Sequence, residues 1–198
     1  MDTRPSDPNK WASHWNPCSA ESRSEHSVSL GPIRDSREFR DALGCFPTGV
    51  AVITAPDGEG GYVGVTANSF NSVSLDPPLV LWSLAKSAYS RDAFHRAGWF
   101  AINILASDQM DLSQRFATTG ADKFEGVTFS KALGGVALLA GCAARFQCRT
   151  FAIYEGGDHE IFVGEVLDYD YSGRSPLVFH RGAYAQAVRH DEEAGRAS

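Results

Sequence analysis

Residues 63–84 read VGVTANSFNSVSLDPPLVLWSL. A β-branched run opens the stretch, a cluster of small hydroxyl and amide side chains from Thr66 to Ser69 interrupts it, and a Pro-Pro step leads into a second apolar run. A strand ending in a core would be better served by apolar residues at that point. The polar cluster either closes the strand as an Asx or Ser turn, or aims side-chain donors and backbone N–H groups at the edge of an anionic or carbonyl-rich planar ligand. Both readings are open from spacing alone.

The neighbouring segments supply the context. VAVITA and GYVGVTA are β-branched runs separated by PDGEGG, which predicts a hairpin with a loose turn. Gly58, Gly60, Gly61 and Gly64 nearly spell a dinucleotide fingerprint, but the last glycine falls one position late and no strand-turn-helix context follows, so they read as turn chemistry. PLVLWSL and WFAINIL are further strands. Between them, Ser90 can cap a helix that turns Phe94 and Ala97 inward, and after them Ser107 can cap one carrying Leu112 and Phe116. Upstream, Ser36 as cap with Phe39, Leu43 and Phe46 at helical spacing predicts a short amphipathic helix against the core, ended at GCFPTG. AARFQCRTFAIYEGGDHEIFVGEVLDYDY is two long strand patterns hinged at EGGDH. Hairpin connections without regular βαβ alternation predict a mainly β protein, an antiparallel barrel with a few short peripheral helices.

The chain of 198 residues suits one domain, with 43% hydrophobic and 21% charged residues. Residues 1–33, rich in Ser, Pro, Asn and acidic side chains, read as a disordered or loosely docked extension in which Trp11 and Trp15 stand out. Residues 34–190 form the domain and 191–198 a tail. A net charge of −6 without a basic stripe argues against a nucleic-acid ligand. No apolar run is long enough to cross a bilayer, and the N-terminus lacks the apolar core of a secretion signal, so no membrane association and a cytoplasmic location are expected. Cys18, Cys45, Cys142 and Cys148 show no CxxC spacing, which predicts reduced packing thiols and no metal site.

Other segments carry polar chemistry. WSLAKSAYSRDAF gathers Ser83, Lys86, Ser87, Ser90 and Arg91 near a helix start, either a phosphate seat or a solvated loop. GGDH places Asp158 and His159 at a tight reversal, DKFEG and HRGAY each set a cation beside an aromatic, and neither GxSxG nor HExxH occurs.

Taken together, FPTGVAVITA, GVTANSFNSVSLDPPLVLWSL, FAINIL, the Gln-x-x-Leu-Ser helix running into RFA, DKFEGV, GGDHEIFVGEV and PLVFHRGAY strongly resemble the short-chain flavin reductase family over about residues 36 to 186. These are NAD(P)H-dependent reductase components of two-component flavin monooxygenases. The resemblance implies a homodimer of a split β-barrel that binds FMN or FAD, takes hydride from NADH or NADPH, and hands reduced flavin to an oxygenase, with neither a Rossmann domain nor a metal. It assigns Val65, Thr66, Ala67, Asn68, Ser69, Ser83 and Leu84 to the flavin, Ser87, Ser90 and Arg91 to its phosphate, Lys123 and Phe124 to its outer part, His159 to the nicotinamide, and Tyr184 to a position near the ring. Two other readings of the scaffold stay open: a flavoprotein that keeps its flavin and acts on an organic substrate, and a flavin-binding module without activity.

Overall fold

The computed structural model describes residues 36–120 and 122–188. The expected extension at 1–33 with Trp11, Trp15 and Cys18, and the 191–198 tail, lie outside the described residues. In chain order the elements are α1 (Ser36–Gly44), β1 (Thr48–Gly49), β2 (Ala51–Pro56), β3 (Tyr62–Ala67), β4 (Asn71–Leu75), β5 (Pro78–Ala85), α2 (Arg91–Ala97), β6 (Trp99–Ile104), α3 (Met110–Ala117), β7 (Phe129–Lys131), β8 (Ala137–Leu139), β9 (Ala144–Gly156), β10 (His159–Tyr171), β11 (Leu177–His180) and β12 (Ala183–Gln186).

One seven-stranded antiparallel sheet, ordered β3-β2-β6-β9-β10-β5-β4, carries the domain. Its two edge strands, β3 and β4, are consecutive in the chain and joined by only Asn68, Ser69 and Phe70. In a flat sheet these edges would stand about 29 Å apart, whereas the chain from Ala67 to Asn71 reaches at most about 15 Å. The sheet therefore has to curl until its edges almost meet, and the result is the split barrel expected. Ser69 helps hold the seam. Asn71 pairs with Leu81, so Ser69 stands where a continued ladder would face Ser83; its hydroxyl accepts the Ser83 N–H at 2.9 Å and lies 3.3 Å from the Ser83 carbonyl as donor. A side chain thus takes over the bonds that strand backbone would make.

The hairpins follow their sequence signals. β2 and β3 pair from Ala51–Ala67 to Pro56–Tyr62, and Asp57 Oδ1 accepts the N–H groups of Glu59 and Gly61 in the turn. The predicted glycine turn is therefore an Asx-type closure. β9 and β10 pair from Gly156–His159 to Ala144–Tyr171. The Pro-Pro step makes the β4–β5 turn, with a cis peptide at Asp76–Pro77.

Alternation along β5 puts Val80, Trp82 and Leu84 inside and Leu79, Leu81, Ser83 and Ala85 outside. Trp82 stacks on Phe162 at 4.9 Å between ring centroids and meets Phe94 edge-on at 5.0 Å, the centre of a core that includes Phe100, Ile53 and Ile102. A second cluster, with Val52, Leu105, Phe116 and Leu139, lies on the other side of β2. Asn103, wholly buried, joins the layers: its amide donates to the Val52 carbonyl at 3.0 Å and its oxygen accepts the Leu139 N–H at 2.9 Å. β1, β11 and β12 form a separate three-stranded sheet.

The helices depart from expectation in detail. Ser90 is the N-cap of α2 but makes no side-chain cap bond. α3 is capped at Gln109, not Ser107, whose N–H goes to the Ser175 carbonyl instead. α1 begins at Ser36 itself, and Phe39, Leu43 and Phe46 are 45%, 58% and 72% exposed instead of facing a core. The helix is moored by backbone: Gly44 accepts the Arg181 N–H at 2.9 Å, and a Cβ at Gly44 would lie 3.3 Å from the Arg181 Cα.

Cys142 and Cys148 are buried, and burial pushes their thiols up to about 11 and about 12, so both stay protonated and unreactive at neutral pH. Gly164 tests the packing of the sheet core. A Cβ there would lie 2.3 Å from Phe100 Cζ and 3.0 Å from Cys148 Cβ. Gly164→Ala is expected to destabilise the domain by about 1 to 3 kcal/mol, measured as a lower urea midpoint at unchanged slope.

Candidate active site

The outer face of β5 and its neighbours brings together Ser69, Ser83 and His159 among the predicted residues. In the β5–β10 pairing His159 faces Ala85 and Ile161 faces Ser83, so His159 lies on the same outward face as Ser83, two residues along. The seam crosses just beside it, with Ser69 bonded to Ser83 and Asn68 exposed. Among the described residues Asn68, Ser87 and Ser90 have no side-chain hydrogen-bond partner. Each keeps its full donor and acceptor capacity.

Two concave surfaces flank this seam. One cleft of about 880 Å³ is lined by Gly64 and Val65 of β3, by Ser87 to Ser90, and by Phe116 to Gly120 and Asp122 to Phe124. Its floor is tightly built: a Cβ at Gly64 would strike the Phe116 ring at 2.4 Å. Phe124 packs against Phe116, Tyr62 and Phe129 with centroids 5.0 to 5.5 Å apart. Lys123 donates to the carbonyls of Gly64 (3.2 Å) and Phe116 (3.0 Å), and burial lowers its pKa from the usual lysine value. Two of its three N–H groups are thereby used. The other cleft, of about 780 Å³, lies between α1 and the β11–β12 hairpin, and Asn68 is on its wall.

Several assigned residues turn out to be engaged elsewhere. Thr66 donates its hydroxyl to the Ser113 carbonyl at 2.7 Å, and Tyr184 meets the Ser113 hydroxyl at 2.9 Å, so both converge on α3. Leu84 is 2% exposed and its side chain belongs to the core; only its backbone is available to a ligand. Arg91 is not free for a phosphate: Nε and Nη2 make a two-point contact with Glu160 at 2.9 and 2.6 Å, and His95 Nε2 lies 2.9 Å from the same carboxylate. His159 Nδ1 is 2.8 Å from Asp158 Oδ1, and that bond lowers the Asp158 pKa. Ser113 and Glu160 were missed as hubs. Glu160 sits inside the motif GGDHEIF, yet only the pairing of β10 with β5 reveals that it points inward, opposite to His159.

Nothing in this arrangement resembles a nucleophile with its base, and among the described residues no group of three or more His, Cys, Asp and Glu is placed to share a metal ion. An apolar floor with hydroxyl, amide and ammonium donors spread along one seam fits a long, partly aromatic, phosphate-bearing molecule. The sequence profile of the flavin reductase-like domain matches residues 43–187. The chain belongs to that family. Among its members, an NADH-dependent FMN reductase of Agrobacterium fabrum is 48% identical over 155 residues, 78% of this chain and 88% of the relative. The reductase component of a flavin-dependent trigonelline monooxygenase from Acinetobacter baylyi is 44% identical over 78% of this chain, which spans only about half of that longer protein. The solved structure of an NADH:FAD oxidoreductase from Streptomyces globisporus, in complex with NAD and FAD fragments, superposes with a TM-score of 0.76 at 35% identity, over 82% of this chain and 99% of that one.

The buried Glu160 gives this family member a pH signature. Its hydrogen bonds to Arg91, then to His95, hold its carboxyl down to about 2 from the ordinary 4.5. The folded pKa is depressed, so the stabilisation is complete above about pH 5 and is lost as pH falls through the ordinary value toward 2. Urea midpoints measured from pH 6 down to pH 3 are expected to fall for the wild type and to fall less steeply for Glu160→Gln, which starts from a lower midpoint at neutral pH.

Proposed function

We propose that this protein is an NADH-dependent flavin reductase that reduces FMN or FAD and releases the reduced flavin to a separate oxygenase component. The observation that carries the reading is the set of unengaged side chains Asn68, Ser87 and Ser90 flanking the outward face on which Ser83 and His159 stand, in a chain of this family. The flavin supplies the acceptor for a hydride from the reduced nicotinamide, so no protein nucleophile is required.

The chain's own residues bind and orient. Val65, Ala67 and the Asn68–Ser69 backbone and side chains form the surface for the flavin ring, with Thr66 and Tyr184 acting through Ser113 to keep α3 against β3. Ser87, Ser90 and the remaining N–H of Lys123 serve the flavin phosphate beside the Phe124 wall, while Arg91, held by Glu160, fixes the start of α2 next to them. His159 receives the nicotinamide on the outer face. NADH is favoured over NADPH by the relatives' stated donor.

A homodimer is part of this proposal. Phe151, Tyr154, Leu167, Tyr169 and Tyr171 on β9 and β10 are each more than 40% exposed. A surface this apolar is what a subunit contact covers. No helix among the described residues is long and apolar enough to cross a membrane, and we place the enzyme in the cytoplasm.

NADH consumption by the purified protein is expected to rise in proportion to added free FMN or FAD and to saturate. Tight flavin binding without nicotinamide turnover would instead indicate a carrier. Asn68→Ala is expected to weaken flavin binding about 2- to 10-fold, the loss of one hydrogen bond, with no change in melting temperature because the side chain has no protein partner. His159→Ala is expected to slow reduction or raise the KM for NADH while the flavin Kd stays put; unchanged stopped-flow reduction would remove His159 from the site.

A further inference from the structure

The cleft between α1 and the β11–β12 hairpin contains two cations that the rest of the protein leaves unused. Arg91, Arg96, Arg115, Arg145, Arg149 and Arg174 each direct their guanidinium to a carboxylate or carbonyl oxygen. Arg40 and Arg181 do not. Among the described residues Arg40 has no hydrogen bond or ion pair, and the Arg181 guanidinium reaches only the Cys45 sulfur, at 3.5 Å. Both line this one cleft.

Two further observations point the same way. Thr48, on the same wall, has a hydroxyl that is wholly buried and makes no hydrogen bond, an arrangement that ordinarily signals a missing partner. Arg181 also occupies a turn that does not suit it. His180 and Ala183 close a two-residue hairpin in which Arg181 (φ 49°) and Gly182 (φ 77°) both have positive φ. Asn-Gly is the pair such a turn prefers, and a long side chain there is strained. The turn does not explain the arginine; a ligand for its guanidinium does.

We propose that this cleft holds the phosphate-bearing part of the nicotinamide dinucleotide, with Arg181 as its principal anion contact and Arg40 beside it. The inference rests on the reductase reading, in which Ser87, Ser90 and Lys123 in the other cleft take the flavin phosphate and leave this one for the electron donor. Asn68, proposed above to contact the flavin ring, lies on the wall of this cleft. Two carboxylates, Glu38 and Asp41, also line the cleft, both from α1, while Arg181, Thr48 and Asn68 come from the sheet side. A planar guanidinium offers two parallel N–H bonds to a phosphate, which a lysine does not match.

Arg181→Asn separates the two roles of the residue, because asparagine suits the turn and removes the cation. In steady-state assays at saturating FMN, its KM for NADH is expected to rise about tenfold or more, its melting temperature not to fall, and Arg181→Lys to recover part of the loss. With N-benzyl dihydronicotinamide, a donor lacking phosphate, the defect is expected to shrink at least fivefold. An unchanged KM for NADH, an equal defect with the phosphate-free donor, or a matching rise in the FMN Kd would each overturn the assignment while leaving the reductase standing. Failure of the wild type to oxidise either donor would take down the reductase reading, and this inference with it.

Discussion

Three residues have to bridge the two edges of a seven-stranded sheet, and the domain's shape follows from that shortness. A longer connector would let β3 and β4 part and the sheet open. The Ser69 hydroxyl then occupies the position of the next ladder residue against Ser83, which keeps the seam closed while the backbone turns away from the sheet. The polar cluster that made Thr66 to Ser69 look misplaced in a strand is what a seam requires. It cannot be a continuous strand, and it must still satisfy β5.

That seam also explains why unengaged polar groups collect where they do. A closed ladder has no spare backbone N–H groups, whereas the break leaves the Asn68 side chain unengaged on the wall of the cleft beside α1. The inner face of the same strands is filled by Trp82, Phe94 and Phe162, so a ligand is confined to the outside. Charge is divided on the same plan. Glu160 points inward and absorbs Arg91 and His95, and His159, its neighbour in sequence, points outward. One pleat separates a residue that holds the fold from one that the proposed reading turns toward the nicotinamide.

Local patterns were legible in the sequence. The β2–β3 and β9–β10 hairpins and the strands at 78–84 and 99–105 follow from β-rich runs and turn chemistry, and the inward Phe94 from the helical pattern after Ser90. Relationships over long separations were not. Nothing in HRGAY announces that Gly44 will approach Arg181, and nothing in SRDAF announces that Arg91 will be taken by a glutamate 69 residues later. α1 is the instructive case: Phe39, Leu43 and Phe46 have helical spacing, but spacing identifies an apolar stripe without naming what covers it. The family resemblance proposes a set of site residues; which of them have unengaged side chains, such as Asn68, and which bond within the protein, such as Thr66 and Arg91, required the three-dimensional pairing.

The central claim is that the break in the sheet at Asn68–Ser69 is the flavin site. A crystal structure of the protein with FMN tests it most directly. The account predicts the isoalloxazine ring on the outer face beside Asn68 and Ser69, with its phosphate toward Ser87, Ser90 and Lys123. A ring bound away from the seam, with Asn68 and Ser69 making no contact to it, would contradict the account.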